Sequence, residues 1–499
     1  MSVPHEIHES AVSPGPAVIH RLLALVSGRG GLFATIAAFA VFVSVQTIRQ
    51  HRALETRAFD LGVFESVLWN TVHGRFFWSP LVLERHLGQH SSFILLTILP
   101  IYAAAPRPET LLAVQAVLLG LAAWPLFLIA ERLLRSKPQA LLVAVLYLLH
   151  PAIASAAFYD FHELAFAPLL FFFAYWFHLA NRPVVFWTFV ALLLLVKEDL
   201  SLVIIGFGLS CLIARQWQRG AGLLLAGVAA YVIFVHVVIA GFSHPGQSFG
   251  WYYEGLVPAG APPSALLQAV WSDPARVMAL VVQREKIKYV VQLTAPLCFF
   301  SFFTLQGAVL MAYGFAMSLL ATREPVYTIG FQYALHVVPY AFVGALLALV
   351  RFWPGPSARA LGVTRRTVLC LWALAAAVFC VKYGMVGAPG RHFHAGFRHV
   401  NLSISPDAQE RYREVREMAA RIPVDASVTA SETLVPHVAR RQELATLRYA
   451  IGAPGAEYEI FFVLKSELGE WVTRFPAVFA ERSHRRVADG KYTVMYQRR

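Results

Sequence analysis

The chain has 499 residues, of which 58% are hydrophobic and 14% are charged, whereas soluble domains carry about 25% charged residues. This composition excludes an ordinary soluble protein and indicates one that crosses a membrane many times. The net charge of +13 does not predict nucleic-acid binding, because Lys and Arg accumulate in the cytoplasmic loops of membrane proteins. The four cysteines all lie in apolar segments, so no disulfide framework is expected.

Apolar runs mark the predicted membrane segments. The first 30 residues are polar, and Arg21 and Arg29 precede the first run, at 32–47, which we interpret as an uncleaved span with its N-terminus inside. Several later runs approach the about 20 residues that cross a bilayer as a helix. These runs are 109–130, 139–158, 164–180, 221–240, 332–350 and 367–381. The predicted fold is therefore a mostly α, polytopic helical membrane protein with about 9–12 membrane segments.

Three regions are predicted along the chain. Residues 1–30 form a cytoplasmic tail, 31–385 a multi-span membrane domain with a long first external loop at 49–108, and 388–499 an extracytoplasmic tail domain. In the tail domain, "SPDAQERYREVREMAARIP" predicts a helix, and "ASVTAS", "EIFFVLK" and "KYTVMYQ" predict short strands. We expect a small α/β domain on the outer face. It contains no Gly-rich phosphate loop and no metal-spaced Cys/His cluster, which favours a scaffolding or acceptor-docking role.

The first external loop contains "AFDLGVFESVLWNTVHGRFF". Asp60 can cap a helix whose apolar residues Leu61, Phe64, Leu68 and Val72 share one face. That pattern predicts a helix lying on the membrane surface. The apolar stretch 92–104 is too short to span and is expected to be re-entrant or interfacial.

Lys197, Glu198 and Asp199 interrupt a long apolar run, "LLLLVKEDLSLVIIG". A charge at the centre of a membrane helix costs roughly 2.5–3.5 kcal/mol on translocon scales. In one arrangement, 184–196 and 200–213 form a broken hairpin with the triplet at its tip. In the other, 184–213 is one long span, and every later segment crosses the membrane in the opposite direction. We favour the hairpin, because it removes the charges from lipid.

With the hairpin, acidic side chains from three separate places in the sequence reach the same outer face. Carboxylates gathered there could act as a general base, hold a divalent cation or form an ion path. Asp60 could equally be a helix cap, and Asp160 could be a polar residue that ends a span. The acids are Asp60, Asp160, Glu163, Glu198 and Asp199.

Histidines supply further candidates. His86 and His90 have the i, i+4 spacing of a helical metal pair, although Gly88 between them weakens a helix. His336 lies at an outer helix end and could face the same cavity as the acids. His437, in the tail, is expected to have a packing or hydrogen-bonding role.

Several of these segments together resemble one known family. "FDLGVFESVLWNTVHGRFF", "HSSFILLTILPIY", "YDFHELAFAPLL", "LLLLVKEDLSL", "GFQYALHVVPYAF" and "SVTASETLVPHVARR" are similar, in order and over roughly 40–470, to domain-of-unknown-function family 2079 of predicted bacterial membrane proteins. That family is grouped with the GT-C glycosyltransferases, which take a sugar from a polyprenyl-phosphate carrier. The resemblance implies a multi-pass protein of the bacterial inner membrane with its tail domain outside.

In GT-C enzymes an acid just after the first span serves in catalysis, and Asp60 occupies that place. The usual pattern is a paired acid, whereas Leu61 follows Asp60 here. By this resemblance Asp60 removes a proton from the acceptor hydroxyl, and Asp160 is a second acid. Lys197 or Arg85 meets the phosphate of the lipid donor, and Asp160 and Glu198 orient His162, Lys197 or a cation.

The implied partners are a polyprenyl-phosphate sugar lipid, membrane lipids and an envelope glycan, lipid or protein acceptor. A divalent metal is an open possibility as cofactor. Two other functions stay open: a non-catalytic protein that binds polyprenyl lipids or assembles envelope complexes, and a transporter. The unpaired Asp60 favours the first of these, and inverted repeats, which are not found, would favour the second.

Overall fold

The structure, a computed structural model, describes residues 28–243, 249–258, 261, 263–353, 364–384, 403–448 and 458–499. The expectation for the N-terminal tail, up to residue 27, lies outside these residues. Up to residue 384 the described chain is a bundle of helices, in agreement with the mostly α prediction. The helices are α1 (Arg29–Arg52), α2 (Val63–Val72), α3 (Leu99–Ala104), α4 (Pro108–Leu121), α5 (Ala123–Leu134), α6 (Lys137–Leu148), α7 (Pro151–Phe158), α8 (Phe166–Leu179), α9 (Pro183–Leu194), α10 (Leu200–Ile213), α11 (Trp217–Val232), α12 (Ala240–Phe242), α13 (Pro263–Ser272), α14 (Pro274–Val281), α15 (Arg284–Thr294), α16 (Leu305–Leu320), α17 (Val338–Phe352) and α18 (Arg365–Tyr383).

Five helical stretches among the described residues are long and apolar enough to cross a membrane. The bent pair α6–α7 could form a sixth span, and four shorter apolar helices accompany them, consistent with the predicted number of membrane segments. Helix α1 is one of the five stretches, and the shorter helices begin at residues 163, 183, 200 and 305. The other four long stretches are Pro108–Leu134, Trp217–Phe242, Gln332–Phe352 and Arg365–Tyr383.

Helices α9 and α10 form a broken hairpin rather than one long span. At the tip, Nζ of Lys197 lies 3.9 Å from Oε1 of Glu163, at the start of the segment leading into α8. At the other end, Nη1 of Arg219 donates to the carbonyl of His178 at the end of α8 (3.0 Å). Arg219 lies at the start of α11, just after α10. Helix α10 therefore ends at the end of the bundle where α9 begins. We call the end with Lys197 the site end of the bundle.

The loop after α1 is built into the core of the protein. Residues Ala58–Gly62 form a π-helix that leads directly into α2. Leu61, Phe64 and Leu68 are buried within the protein, and Glu65, on a different face of α2, is also fully buried. The prediction of a helix on the membrane surface is therefore wrong, because α2 packs against protein on both faces.

Close backbone contact at Gly314 joins α16 to the segment before α17. A Cβ atom at this position would lie 2.1 Å from the carbonyl oxygen of His336. Replacing Gly314 by Ala is expected to destabilise the protein by about 1–3 kcal/mol or more, because backbone has to move. Gly241, whose Cβ would meet nothing within 4 Å, is the matched control. Thermal unfolding in detergent should show a lower melting temperature for Gly314→Ala only; equal melting temperatures would contradict the packing.

The tail domain is a small α/β unit. Its five-stranded sheet comprises β3 (Val428–Ala430), β4 (Leu444–Thr446), β5 (Ile460–Leu464), β6 (His484–Asp489) and β7 (Thr493–Arg498) in the order β4-β3-β5-β7-β6. Strand β3 is parallel to β4 and β5, whereas β7 is antiparallel to β5 and β6. Its helices are α19 (Pro406–Ala419), α20 (Val435–Val438), α21 (Leu468–Arg474) and α22 (Pro476–Phe479). A separate two-stranded ribbon in the first loop pairs β1 (Trp78–Ser79) with β2 (Glu84–Arg85).

Helix α20 places the tail domain on the site end. The ring of His437 stacks on His51 at the end of α1, with centroids 4.1 Å apart. Nη1 of Arg440 donates to the carbonyl of Pro106 (2.9 Å). A Cβ on Gly62, in the π-helix, would lie 3.1 Å from Cγ1 of Val435. His437 thus has the packing contact expected from the sequence.

Candidate functional site

Asp60 lies in the π-helix, where its carboxylate is held by two side chains from another segment. Oδ1 lies 2.8 Å from Nε2 of His162, and Oδ2 accepts a hydrogen bond from the hydroxyl of Tyr159. The side chain makes no capping bond to α2, so the interpretation as a helix cap is wrong. The carboxylate is 21% exposed, which leaves it reachable from outside.

A buried amide on α4 fixes the segment that faces Asp60. Nε2 of Gln115 donates to the carbonyl of Tyr159 at 2.7 Å, and Oε1 accepts the backbone N–H of His162 at 2.9 Å. The backbone N–H of Arg57 donates to Oδ2 of Asp160 at 2.9 Å. The loop before the π-helix and the loop after α7 are thus tied together.

These contacts separate the protonation states of the two aspartates. Burial raises the pKa of Asp60, but the hydrogen bond and charge of His162 outweigh it and hold that pKa below its ordinary value. Burial and the negative charge of Asp60 raise the pKa of Asp160 to about 7. Burial lowers the pKa of His162, yet its bonds to Asp60 and Glu163 raise it to about 9. At neutral pH, Asp60 is an ionised carboxylate beside a protonated imidazole, and pairs with such separated pKa values are typical of acid–base sites.

The Lys197–Asp199 triplet sits at the hairpin tip, beside His90 and His336. Oε1 of Glu198 lies 2.9 Å from Nδ1 of His90, and Oδ2 of Asp199 lies 3.1 Å from Nε2 of His336. Both carboxylates and the lysine have little solvent exposure. The structure therefore brings the acids of three separate segments to one end of the bundle.

The two carboxylates of the hairpin tip and the neighbouring Glu163 each have a histidine within 4 Å. Besides the two pairs above, Oε2 of Glu163 lies 3.6 Å from Nδ1 of His162. Lys197 differs from them: among the described residues its ammonium makes no hydrogen bond, and the nearest carboxylate oxygen is 3.9 Å away. The ammonium of Lys197 therefore keeps its N–H groups available to a ligand.

A cavity of about 660 Å³ opens in front of the triplet. Its walls are mostly apolar and come from α10, the π-helix Ile233–Ile239, α13 and α16. Tyrosine side chains and His90 surround the polar end; the tyrosines are Tyr231, Tyr252, Tyr253, Tyr313 and Tyr333. A cavity with one charged end and long apolar walls fits an amphipathic molecule.

Not every predicted residue faces this cavity. His336 is fully buried behind Asp199, so it can position that acid but does not line the cavity. Arg85 is outside the lining and stacks over the ring of Phe242, 5.4 Å from its centroid. Asp60 is linked to the cavity through His162 and Glu163.

The proposed metal pair is not supported by a third ligand. The rings of His86 and His90 meet edge to face, 5.8 Å apart, and His90 contacts Glu198 instead. In the described part of the chain, no group of three or more His, Cys, Asp or Glu side chains could hold a metal ion.

Sequence reasoning missed three residues of the site. Tyr159 binds Asp60, Gln115 anchors the facing loop, and the hydroxyl of Tyr313 donates to Oδ2 of Asp199 at 3.1 Å. Gln115 carried a signal, since it is a lone amide within the apolar run 109–130. The tyrosines carried none, because tyrosine is common at membrane boundaries.

Replacing Gln115 by Leu should loosen the loop that faces Asp60. The change leaves buried backbone groups without partners, at about 1–3 kcal/mol for an unpaired group. Hydrogen exchange should quicken at 159–163, and the melting temperature should fall. Gln306→Leu, which removes a single weak bond of 3.5 Å to the carbonyl of Ser210, is the control. Unchanged exchange at 159–163 would show that Gln115 does not hold the loop.

The raised pKa of His162 predicts a pH-dependent stability. The folded-state pKa of about 9 exceeds the ordinary value of about 6.5. The ion pair with Asp60 therefore contributes fully below about pH 6.5, and its contribution is lost as the pH rises through about 9. The difference in melting temperature between the native protein and His162→Gln should shrink between pH 6 and 10. His73→Gln, at an exposed histidine, is the control variant. A difference in melting temperature between the native protein and His162→Gln that stays constant from pH 6 to 10 would contradict the ion pair.

Comparison with known proteins gives a family match and a similarity to solved structures. The family model described as predicted membrane protein (DUF2079) matches residues 50–484. The crystal structure of ArnT from Cupriavidus metallidurans in the apo state is similar with a TM-score of 0.48 and 11% sequence identity, over 93% of this chain and 98% of that chain. A search of curated protein sequences finds no match.

Proposed function

We propose that this chain, which belongs to the DUF2079 family of predicted membrane proteins, is a glycosyltransferase of the bacterial inner membrane. It would move a sugar from a polyprenyl-phosphate donor to an envelope acceptor on the extracytoplasmic face. The resemblance to a family that is grouped with the GT-C glycosyltransferases supports the reaction class, and the geometry of the site end supports the assignment of roles.

The observation that carries the proposal is the ammonium of Lys197 at the polar end of an apolar cavity. A lipid phosphate needs an N–H donor for its oxygens and apolar surface for its chain. Lys197 offers its N–H groups to a ligand, because none of them bonds to a described residue of the protein. Leu202, Val235 and Met317 are among the side chains on the cavity wall.

Asp60 is the proposed general base. The acceptor hydroxyl gives its proton to Asp60 while its oxygen bonds to the anomeric carbon of the sugar. The bond from that carbon to the phosphate oxygen breaks, and the phosphate keeps the electron pair beside Lys197. His162 and Tyr159 hold the carboxylate of Asp60, and Asp160 lies beside it. Glu198 and Asp199 would position Lys197, and His336 would position Asp199.

Basic residues at the opposite end of the bundle support the proposed orientation. Arg132 and Arg135 lie near the end of α5, and Arg182 and Arg215 follow α8 and α10. Nη2 of Arg365, the first residue of α18, donates to the carbonyl of Trp353, which follows the last residue of α17 (2.9 Å). Because Lys and Arg favour cytoplasmic loops, the site end would face outward.

The test is a donor-consumption assay in liposomes that contain the purified protein. Polyprenyl phosphate linked to radiolabelled glucose, mannose or arabinose is supplied with a bacterial envelope fraction as acceptor. Release of free polyprenyl phosphate together with transfer of label supports the proposal. Binding of polyprenyl phosphate without loss of any sugar would instead support the non-catalytic lipid-binding function.

A further inference from the structure

Helix α13 exposes large apolar side chains outside the predicted membrane spans. It carries no charged residue over Pro263–Ser272, yet Trp271 is 90% exposed and Leu267 is 75% exposed. Polar residues normally cover such a loop helix in water, and exposed apolar patches mark contact surfaces. The exposed face of α13 therefore faces something other than bulk water.

The cavity wall includes part of α13. Leu266, Leu267 and Val270 line the cavity in front of Lys197; Leu267 is exposed as well, and Trp271 points away from the bundle with its side chain uncovered. A single helix thus separates the cavity from the outer surface. Whatever contacts the outer face of α13 also lies next to the apolar cavity.

Neighbouring elements extend the exposed apolar surface and add charged groups. Met278 on α14 and Trp251 before α13 are both more than half exposed. The guanidinium of Arg323 lies 4.8 Å from the ring centroid of Trp251 and forms an ion pair with Glu254. Arg284 at the start of α15 is exposed as well. Tryptophan beside exposed arginine matches the headgroup region of a bilayer, where aromatic rings sit below lipid phosphates.

From this arrangement we infer that α13 lies in the membrane interface, with Trp271 and Leu267 inserted among the lipid headgroups. An interfacial helix of this kind buries its apolar face at the headgroup boundary. The bilayer, rather than another protein, is the occupant that the tryptophan–arginine pattern and the surrounding membrane bundle favour. It also gives the cavity a lipid-facing wall, through which an isoprenoid or acyl chain can enter sideways.

This inference concerns membrane contact and stands whether or not the protein transfers a sugar. Two variants are made, Leu267→Cys and Trp271→Cys. Each is made in a protein whose four native cysteines are changed to alanine. Each cysteine carries an environment-sensitive fluorophore, and the protein is placed in liposomes whose lipids bear a nitroxide near the glycerol. No donor lipid is added, so the proposed reaction plays no part in the outcome.

Emission at positions 267 and 271 is expected to fall by roughly half or more, as for groups buried a few ångströms below the headgroups. The same label at Glu417, an exposed residue on α19, should keep most of its emission. Ser272→Cys retains both apolar side chains and repeats the test if the other variants do not fold. Quenching at 267, 271 and 272 no greater than at 417 would overturn the inference, including the case in which a second protein copy covers this face.

Discussion

Replacement of Asp60 by Asn is expected to lower the rate of sugar transfer by about 10²–10⁴-fold, the usual contribution of a general base. Asn keeps the shape of the side chain and can still bond to Tyr159 and His162, but it cannot take a proton from the acceptor. The rate is measured as release of polyprenyl phosphate from the sugar donor in liposomes. Binding of the donor should change little, because the proposal places the phosphate at Lys197 and not at Asp60.

Tyr159→Phe is the matched control for this change. It removes the hydroxyl that donates to Asp60 but keeps the carboxylate and the ring. Its rate should fall by no more than about 10–100-fold, since one hydrogen bond to a charged group contributes about 1.5–3 kcal/mol and each 1.4 kcal/mol is about tenfold. If Asp60→Asn transfers sugar as fast as Tyr159→Phe, Asp60 is not the base.

Replacement of Lys197 by Gln is expected to weaken binding of polyprenyl phosphate by about 10–100-fold. A hydrogen bond to a charged group is worth about 1.5–3 kcal/mol, and each 1.4 kcal/mol changes the dissociation constant about tenfold. Lys197 lines the cavity, and its ammonium makes no hydrogen bond to the residues that the structure describes. The dissociation constant is measured by displacement of a fluorescent polyprenyl phosphate from the detergent-solubilised protein.

Lys286→Gln serves as the control for loss of a buried lysine. Lys286 donates to the carbonyl of Leu319 at 2.6 Å and is not part of the cavity lining. That change should affect stability but leave the dissociation constant for polyprenyl phosphate within about twofold. Equal dissociation constants for Lys197→Gln and the native protein would place the phosphate elsewhere.

The sequence was sufficient to predict which segments come together at the candidate site. The break at Lys197–Asp199 could be predicted because charged residues are costly within lipid, and the structure has the hairpin that this cost favours. Topology then placed Asp60, Asp160 and the triplet at one end. Side-chain roles were harder: Asp60 looked like a helix cap, and only the fold reveals that His162 and Tyr159 bind it.

The errors have two physical causes. Helix α2 has the apolar spacing of a surface helix, yet Glu65 is buried and receives a hydrogen bond from the hydroxyl of Tyr102 (2.8 Å). Such long-range partners are absent from any local pattern. In the tail, the three predicted strands are present, whereas β4 and β6 were missed because they are short or charged. The sequence "HRRVAD" of β6 lacks the alternation that predicts a strand.

Photo-crosslinking tests the central claim, that the cavity beside Lys197 binds a lipid phosphate at the end of the bundle that carries Asp60. A polyprenyl phosphate with a diazirine close to the phosphate is bound in liposomes, irradiated and mapped by mass spectrometry. Labelled peptides should come from 195–202 and from 313–320, and labelling should fall with Lys197→Gln but persist with Asp60→Asn. Labelling confined to the opposite end of the bundle, or unchanged by Lys197→Gln, would contradict the proposed site.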